Sequence, residues 1–119
     1  MGVVVGGIDY YEETPPPDRN HILSNAIYGN RAIGIDVGND GPTANDEGDA
    51  DIGPNAFQNS PVIDSADIEN GSVTIKGTLN SSSNKQFTLQ YFSDSLDLVR
   101  PVQSYLGSST VITDGNGNA

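Results

Sequence analysis

The chain has 119 residues, of which only 34% are hydrophobic, and it contains neither cysteine nor tryptophan. Sixteen acidic residues against five basic ones give a formal net charge of −11. This charge would repel a phosphate backbone or an anionic lipid surface, so we expect no nucleic acid partner, and no run of 18 apolar residues is present for membrane insertion. The lack of cysteine excludes disulfide bonds and thiolate metal sites.

The composition favours strands and loops over helices. Glycine (14 residues) and proline (7 residues) are plentiful, and no window has apolar residues at the spacing of an amphipathic helix. We therefore predict an all-β chain with little or no helix.

The first segment, residues 1–37, begins with a short apolar strand, Val3–Val5. Residues 8–19 then form a polar excursion with three consecutive prolines, which we interpret as an inserted loop. Within it, Tyr10 and Tyr11 are candidate ligand-binding residues, because exposed aromatic rings stack on sugars. The alternative is that the pair packs the loop against its scaffold.

Residues 20–41, "NHILSNAIYGNRAIGIDVGNDG", carry asparagines at a regular spacing. Asn20, Asn25 and Asn30 recur every five residues, with isoleucines between them. This spacing predicts short strands separated by tight corners, because asparagine tolerates left-handed backbone and stacked asparagines form side-chain ladders between coils. The alternative is a loop-rich sheet edge in which the asparagines are incidental.

The second segment, residues 38–60, is an acidic loop in which apolar residues nearly vanish. The stretch 34–55 holds six carboxylates and no lysine or arginine. Calcium takes six to eight oxygen ligands, which flexible Asp/Asn/Gly loops supply, so we predict a Ca²⁺ site. An EF-hand is excluded because Ser60 stands where the bidentate glutamate should be. The alternative is that these side chains cap turns through backbone amides. The candidate ligands are Asp36, Asp40, Asn45, Asp46, Asp49 and Asp51.

The third segment, residues 61–119, changes to the alternation of β-strands. A strand from Val62 to about Ile68 precedes a hairpin signal at 69–71, and alternating strands follow around 73–79 and 87–91. Shorter strands at 105–106 and 110–112 lead to a final turn at 114–117. This spacing predicts a small antiparallel sandwich of immunoglobulin-like type, with Tyr91 and Tyr105 in its core, which we expect to lack its closing edge strand.

The acidic loop also carries a family resemblance. "AIGIDVGNDGPTANDEGDADIGPNAFQNSPVI", residues 32–63, resembles the segment that ends the coil array in large bacterial right-handed parallel β-helix repeat proteins. "GSVTIKGTLNSSSNKQFTLQYFSDS" and "SYLGSSTVITDGNGNA" are similar to the small β-sandwich that follows the helix in that family. The resemblance implies terminal β-helix coils in 1–37, a cap or linker in 38–60, and an immunoglobulin-like sandwich in 61–119.

The resemblance implies a structural or adhesive module of a bacterial secreted or cell-surface protein, without catalytic residues. A carbohydrate or a protein surface is the expected partner, and the oligomeric state stays open. The alternative is a fragment of a carbohydrate-active β-helix protein, a polysaccharide lyase or hydrolase or its sugar-binding module, since Asp36 or Asp40 with Arg31 is compatible with acid–base chemistry. The chain has too few coils for a long substrate groove, and its single histidine, His21, has no nucleophile motif to serve. We therefore predict that it is not an enzyme.

Overall fold

The computed structural model describes residues 3–5, 19–31, 33–94 and 103–119. The predicted inserted loop, with Tyr10 and Tyr11, falls almost entirely outside these residues. The described residues are all-β with almost no helix, as predicted. Their six strands are β1 (Val3–Val5), β2 (Ile35–Val37), β3 (Val62–Glu69), β4 (Ser72–Thr78), β5 (Gln86–Asp94) and β6 (Gln103–Ile112).

The strands form three separate two-stranded sheets. Strands β1 and β2 pair in parallel, with Val3 opposite Ile35, while β3 pairs with β4 and β5 with β6 in antiparallel fashion. Parallel pairing of two strands about thirty residues apart is the relationship between successive coils of a β-helix, but one pair of three residues does not establish that fold. The β-helix and the immunoglobulin-like sandwich therefore stay predictions.

At its first position the asparagine run forms an asparagine–asparagine side-chain hydrogen bond across 35 residues, but the partner is Asn55 and not another asparagine of the run, and its second position forms no such bond. Asn20 Nδ2 donates to Asn55 Oδ1 at 3.1 Å, and Asn25 Nδ2 donates to the carbonyl of Leu23 at 2.9 Å. Within the run only Ile35–Val37 is a strand among the described residues. Left-handed corners do recur every five residues, but they lie at Arg19, Ser24 and Gly29, each one residue before an asparagine, so the prediction that the asparagines themselves take this backbone is wrong.

The β3–β4 hairpin turns at Asn70-Gly71, as predicted. Both residues have positive φ, 49° and 79°, which matches the tight two-residue turn that Asn-Gly favours. Several apolar side chains of this hairpin face solvent; Ile68 is 79% exposed and Ile63 is 62% exposed. The hairpin is therefore held by its backbone ladder and turn more than by an apolar core.

The β5–β6 pair merges the two short strands predicted near the end of the chain. Strand β6 is ten residues long, with Gln86 opposite Ile112 and Asp94 opposite Gln103, and its pairing register shifts at Leu106. Tyr91 is half-buried and its hydroxyl lies 2.8 Å from Ser109 Oγ. The prediction that Tyr105 lies in the core is wrong. The centroid of its ring lies 5.4 Å from that of Phe92, but the residue is 56% exposed.

Buried positions in the described residues are mostly polar. Leu79 is the one buried hydrophobic residue among them, whereas Asn59, Ser81 and Thr113 are buried polar residues. The backbone of Leu79 exchanges two hydrogen bonds with Ala119, both at 2.9 Å. Satisfied polar contacts therefore order this part of the molecule, and each buried group must keep its partner.

A single-turn 3-10 segment, Pro54–Phe57, closes the acidic loop with left-handed backbone. Ala56 has φ 52° and Phe57 has φ 44°, which places the Phe57 ring against Gly53 and Gly38. A side chain at Gly53 would overlap that ring. The turn is therefore strained in order to seat one aromatic ring between two glycines.

The strain at Ala56 leads to a stability prediction. Left-handed backbone costs an L-residue about 1–2 kcal/mol, and glycine avoids this cost while losing about 0.5–1 kcal/mol in chain entropy. Ala56→Gly should therefore raise the free energy of unfolding by roughly 0.5–1 kcal/mol in urea denaturation. Ala66→Gly, in strand β3, is the matched control and should lower it; a loss of stability in both variants would contradict the left-handed turn.

Candidate metal-binding site

Three carboxylates meet in the acidic loop. Asp46, Asp49 and Asp51 are each half-buried, and one oxygen from each lies within 4.8 Å of the others. The chain turns between them at Gly48 and Asp49, which both have positive φ, and the backbone N–H of Ala50 donates to Asp46 Oδ2 at 3.0 Å. The tight turn therefore brings three negatively charged carboxylates close together.

Two oxygens of the cluster have no hydrogen-bond partner. Asp46 Oδ1 and Asp51 Oδ1 each expose less than 1 Å² and accept no hydrogen bond. Burial, followed by the charges of Asp46 and Asp49, raises the pKa of Asp51 above its ordinary value. An unpaired carboxylate oxygen withdrawn from water is costly, and a proton or a cation is what relieves that cost.

Asp49 is positioned from two directions. Its Oδ1 accepts the backbone N–H of Asn59 at 2.6 Å, and its Oδ2 accepts the hydroxyl of Ser81 at 2.7 Å. Each oxygen keeps a further lone pair, so these bonds orient the carboxylate without preventing it from binding a cation. Such outer contacts are what hold a ligand in place at a metal centre.

The Asn59 side chain connects the loop to the segment that follows β4. It is only 3% exposed; its Oδ1 accepts the N–H of Asp46 at 3.0 Å, and its Nδ2 donates to the carbonyls of Asp46, at 2.6 Å, and Asn80, at 2.9 Å. Every side-chain polar atom of this buried residue therefore has a partner. Asn59 fixes the start of the carboxylate loop relative to the segment that follows β4.

None of Asn59, Asn80 and Ser81 is among the site residues predicted from the sequence. All three lie at the ends of loops, where polar residues are common and carry no distinguishing signal. Asn59 falls within the family-like stretch at 32–63, which was the one available clue. Their importance follows from burial and long-range contacts, which no local pattern encodes.

The other predicted ligands have different roles or lie elsewhere. Asp36 Oδ1 accepts the backbone N–H of Gly41 at 3.3 Å, which is the turn-capping alternative. Asn45 pairs with Ser60, donating to its carbonyl at 2.7 Å and accepting its N–H at 2.9 Å. Asp40 does not join the cluster of three carboxylates. The six candidates therefore reduce to one group of three, and Tyr10 and Tyr11 lie outside the described residues.

Comparison with protein-family models, with curated proteins and with solved structures finds no match to this chain. The resemblance to β-helix repeat proteins accordingly stays a prediction. Within the described residues, no helix combines the length and the hydrophobicity needed to cross a bilayer. What the geometry does provide is a cluster of three aspartates suited to a metal ion.

The C-terminal turn holds a second ordered carboxylate, which gives a pH prediction. Asp114 Oδ1 accepts the N–H groups of Asn118 and Asn116, at 2.9 Å and 2.8 Å, and these bonds lower the pKa of Asp114 below 3.8. A lowered folded-state pKa stabilises the fold above the unfolded-state pKa, and this contribution is lost as the pH falls through the folded-state value.

Asp114→Asn should therefore be less stable than wild type at pH 7, and the difference should shrink as the pH falls below about 4. Urea denaturation across pH 2 to 7 measures this. Asp64→Asn, on exposed strand β3, is the control for loss of one negative charge. A difference between wild type and Asp114→Asn that persists unchanged at pH 2 would contradict the hydrogen-bonded carboxylate.

Proposed function

We propose that this chain is a structural or adhesive module of a bacterial secreted or cell-surface protein, in which Ca²⁺ held by Asp46, Asp49 and Asp51 braces the acidic loop. The observation that carries the proposal is the pair of buried, unpartnered carboxylate oxygens on two of the three clustered aspartates, Asp46 and Asp51. A bound cation supplies the missing partner for both oxygens and offsets the mutual repulsion of the three charges.

The chemistry of the cluster favours calcium. Its ligands are all hard oxygens, and the chain has no cysteine for a softer metal. Calcium–oxygen distances of about 2.3–2.6 Å allow two ligands on one ion to lie up to about 5 Å apart. The three carboxylate oxygens of the cluster lie within 4.8 Å of one another, so one ion can contact all of them. Magnesium demands a tighter, near-ideal octahedron and usually keeps several waters. Water and backbone carbonyls would complete the larger coordination shell of calcium.

The role of the site is mechanical in this proposal. In the sequence, the loop follows β2 of the parallel β1–β2 pair and precedes the two antiparallel pairs, β3–β4 and β5–β6. A hydrogen bond from Asn59 to Asn80 connects the loop to the segment that follows β4. A cation that rigidifies the loop fixes how the two β-regions connect, as a spacer or presenting module requires. The excess of negative charge disfavours partners with anionic surfaces and leaves a neutral sugar or a protein surface as the contact.

Calorimetric titration with CaCl₂ tests the site. Wild type should take up one Ca²⁺ per chain, and Asp51→Asn should weaken binding at least about tenfold, because the cluster loses one of three charged ligands. Glu47→Gln removes a neighbouring charge from the same loop but no ligand of the cluster, and should bind within about threefold of wild type. Absence of binding heat at millimolar calcium, or equal weakening in both variants, would refute the proposal.

A further inference from the structure

The carboxylate cluster connects to the C-terminal turn through two adjacent residues. Asn80 Oδ1 accepts the N–H of Gly48 at 2.7 Å, and the Ser81 hydroxyl donates to Asp49 at 2.7 Å. On their other side, Asn80 Nδ2 donates to Asn118 Oδ1 at 2.8 Å, and the Ser81 N–H donates to the carbonyl of Gly117 at 2.9 Å. The same two residues therefore bond both to the loop that carries the cluster and to the turn.

We infer that a cation bound by Asp46, Asp49 and Asp51 also orders the C-terminal turn, residues 114–119, and that Asn80 and Ser81 transmit the effect. This inference rests on the proposed cation site. Its support is the pair of solvent-inaccessible, unpartnered oxygens in the cluster together with a continuous chain of hydrogen bonds from Asp49 to Gly117.

The direction of the effect follows from electrostatics. Without a cation the three carboxylates repel one another, and separation of Asp49 from its neighbours strains its bond to Ser81 and the adjacent bond from Gly48 to Asn80. With a cation bound, these donors and acceptors stay in place. Asn80 and Ser81 are then held in place, and they are the residues to which the turn is hydrogen-bonded. Opening of the turn therefore becomes less frequent.

Packing at the turn leaves little room for independent movement. Ser81 is completely buried, and a side chain at Gly117 would overlap the Ser81 carbonyl oxygen. Asn80 also forms an isolated β-bridge with Asn118. A displacement of 80–81 therefore displaces the turn as well, which is the discrete coupling that transmission between two places requires.

Coupling of this kind is reciprocal. If calcium makes opening of the turn less frequent by some factor, then the chain with the turn closed binds calcium more tightly than the chain with the turn open by the same factor. Asn118→Ala removes the nearer of the two acceptors of Asn80 Nδ2, at 2.8 Å against 3.4 Å for the carbonyl of Asn116, and Asn118 is exposed and contributes no carboxylate to the cluster. This substitution should weaken calcium binding, and by no more than the factor by which calcium makes opening of the turn less frequent. Gln86→Ala, exposed in β5, is the control and should leave both quantities unchanged.

Hydrogen–deuterium exchange with and without calcium tests the inference. At a free calcium concentration 100 times its dissociation constant, the amides of Ser81, Gly117 and Asn118 should exchange at least about tenfold more slowly than in EDTA, with an upper limit of about 100-fold. The β3–β4 amide of Thr74 should change little. In Asn118→Ala the slowing at Gly117 should be at least about threefold smaller.

Three outcomes are distinguishable. Slowing at the turn, reduced in Asn118→Ala, supports the inference. Slowing confined to the loop amides of Asp46, Gly48 and Ala50 overturns the inference and leaves the calcium site standing. No slowing anywhere, together with no heat on calcium titration, overturns both the inference and the proposed function.

Discussion

Asn59→Ala is expected to lower the free energy of unfolding by about 3 kcal/mol. The substitution leaves three backbone groups without their partner: the N–H and carbonyl of Asp46 and the carbonyl of Asn80. Each buried group left unsatisfied costs about 1–3 kcal/mol, and partial access of water reduces the sum. Because whole domains are stable by only about 5–15 kcal/mol, this is a large fraction of the total.

The control for Asn59→Ala is Asn45→Ala, which removes the same side chain with a similar bonding pattern to Ser60. Asn45 is exposed, so water replaces its bonds and the expected loss is below about 1 kcal/mol. Urea denaturation in EDTA measures both variants. Equal losses of unfolding free energy in the two variants would mean that the buried hydrogen bonds of Asn59 do not hold the loop in place.

Asp51→Asn should have opposite effects on stability with and without calcium. In EDTA, the raised pKa of Asp51 shows that its charged form is disfavoured in the folded chain, so its contribution destabilises the fold above the folded-state pKa and this penalty disappears as the pH falls. Removing the charge should therefore raise stability at pH 7. With calcium at 100 times the wild-type dissociation constant, wild type gains about 2.7 kcal/mol and the variant gains much less.

In thermal unfolding, Asp51→Asn should therefore have the higher Tm in EDTA, and wild type should have the higher Tm in calcium. Glu47→Gln should show no such exchange, because Glu47 is exposed and outside the cluster. If Asp51→Asn is the less stable protein in EDTA as well, the aspartate contributes a favourable contact in the absence of metal and the cluster is not a repulsive one.

The sequence predicted the strands well where the signal is local. Alternation and an Asn-Gly turn located β3 and β4, because hairpin pairing depends on residues close together in the chain. It predicted two short strands where the structure has the single strand β6, and it placed the exposed Tyr105 in the core. Both depend on which surfaces pack together, and strand patterns do not encode that.

The candidate site shows the same division. Acidic composition identified the loop and included the three clustered aspartates, but it could not exclude Asp36 or Asn45, whose turn-forming role uses the same residue types. Asn80 lies 32 residues from Gly48 and Ser81 lies 32 residues from Asp49, and these contacts follow only from the folded chain. Composition thus predicts the chemistry of a site, while long-range contacts select its members.

A crystal structure of the protein grown with calcium chloride would show whether the three aspartates bind the ion. We expect one Ca²⁺ with an oxygen of Asp46, Asp49 and Asp51 each about 2.3–2.6 Å away, and with Asp46 Oδ1 and Asp51 Oδ1 among the ligands. Anomalous scattering would identify the ion. A structure in which those two oxygens are instead bonded to protein donors or water, with no ion between the three carboxylates, would contradict the proposed calcium site.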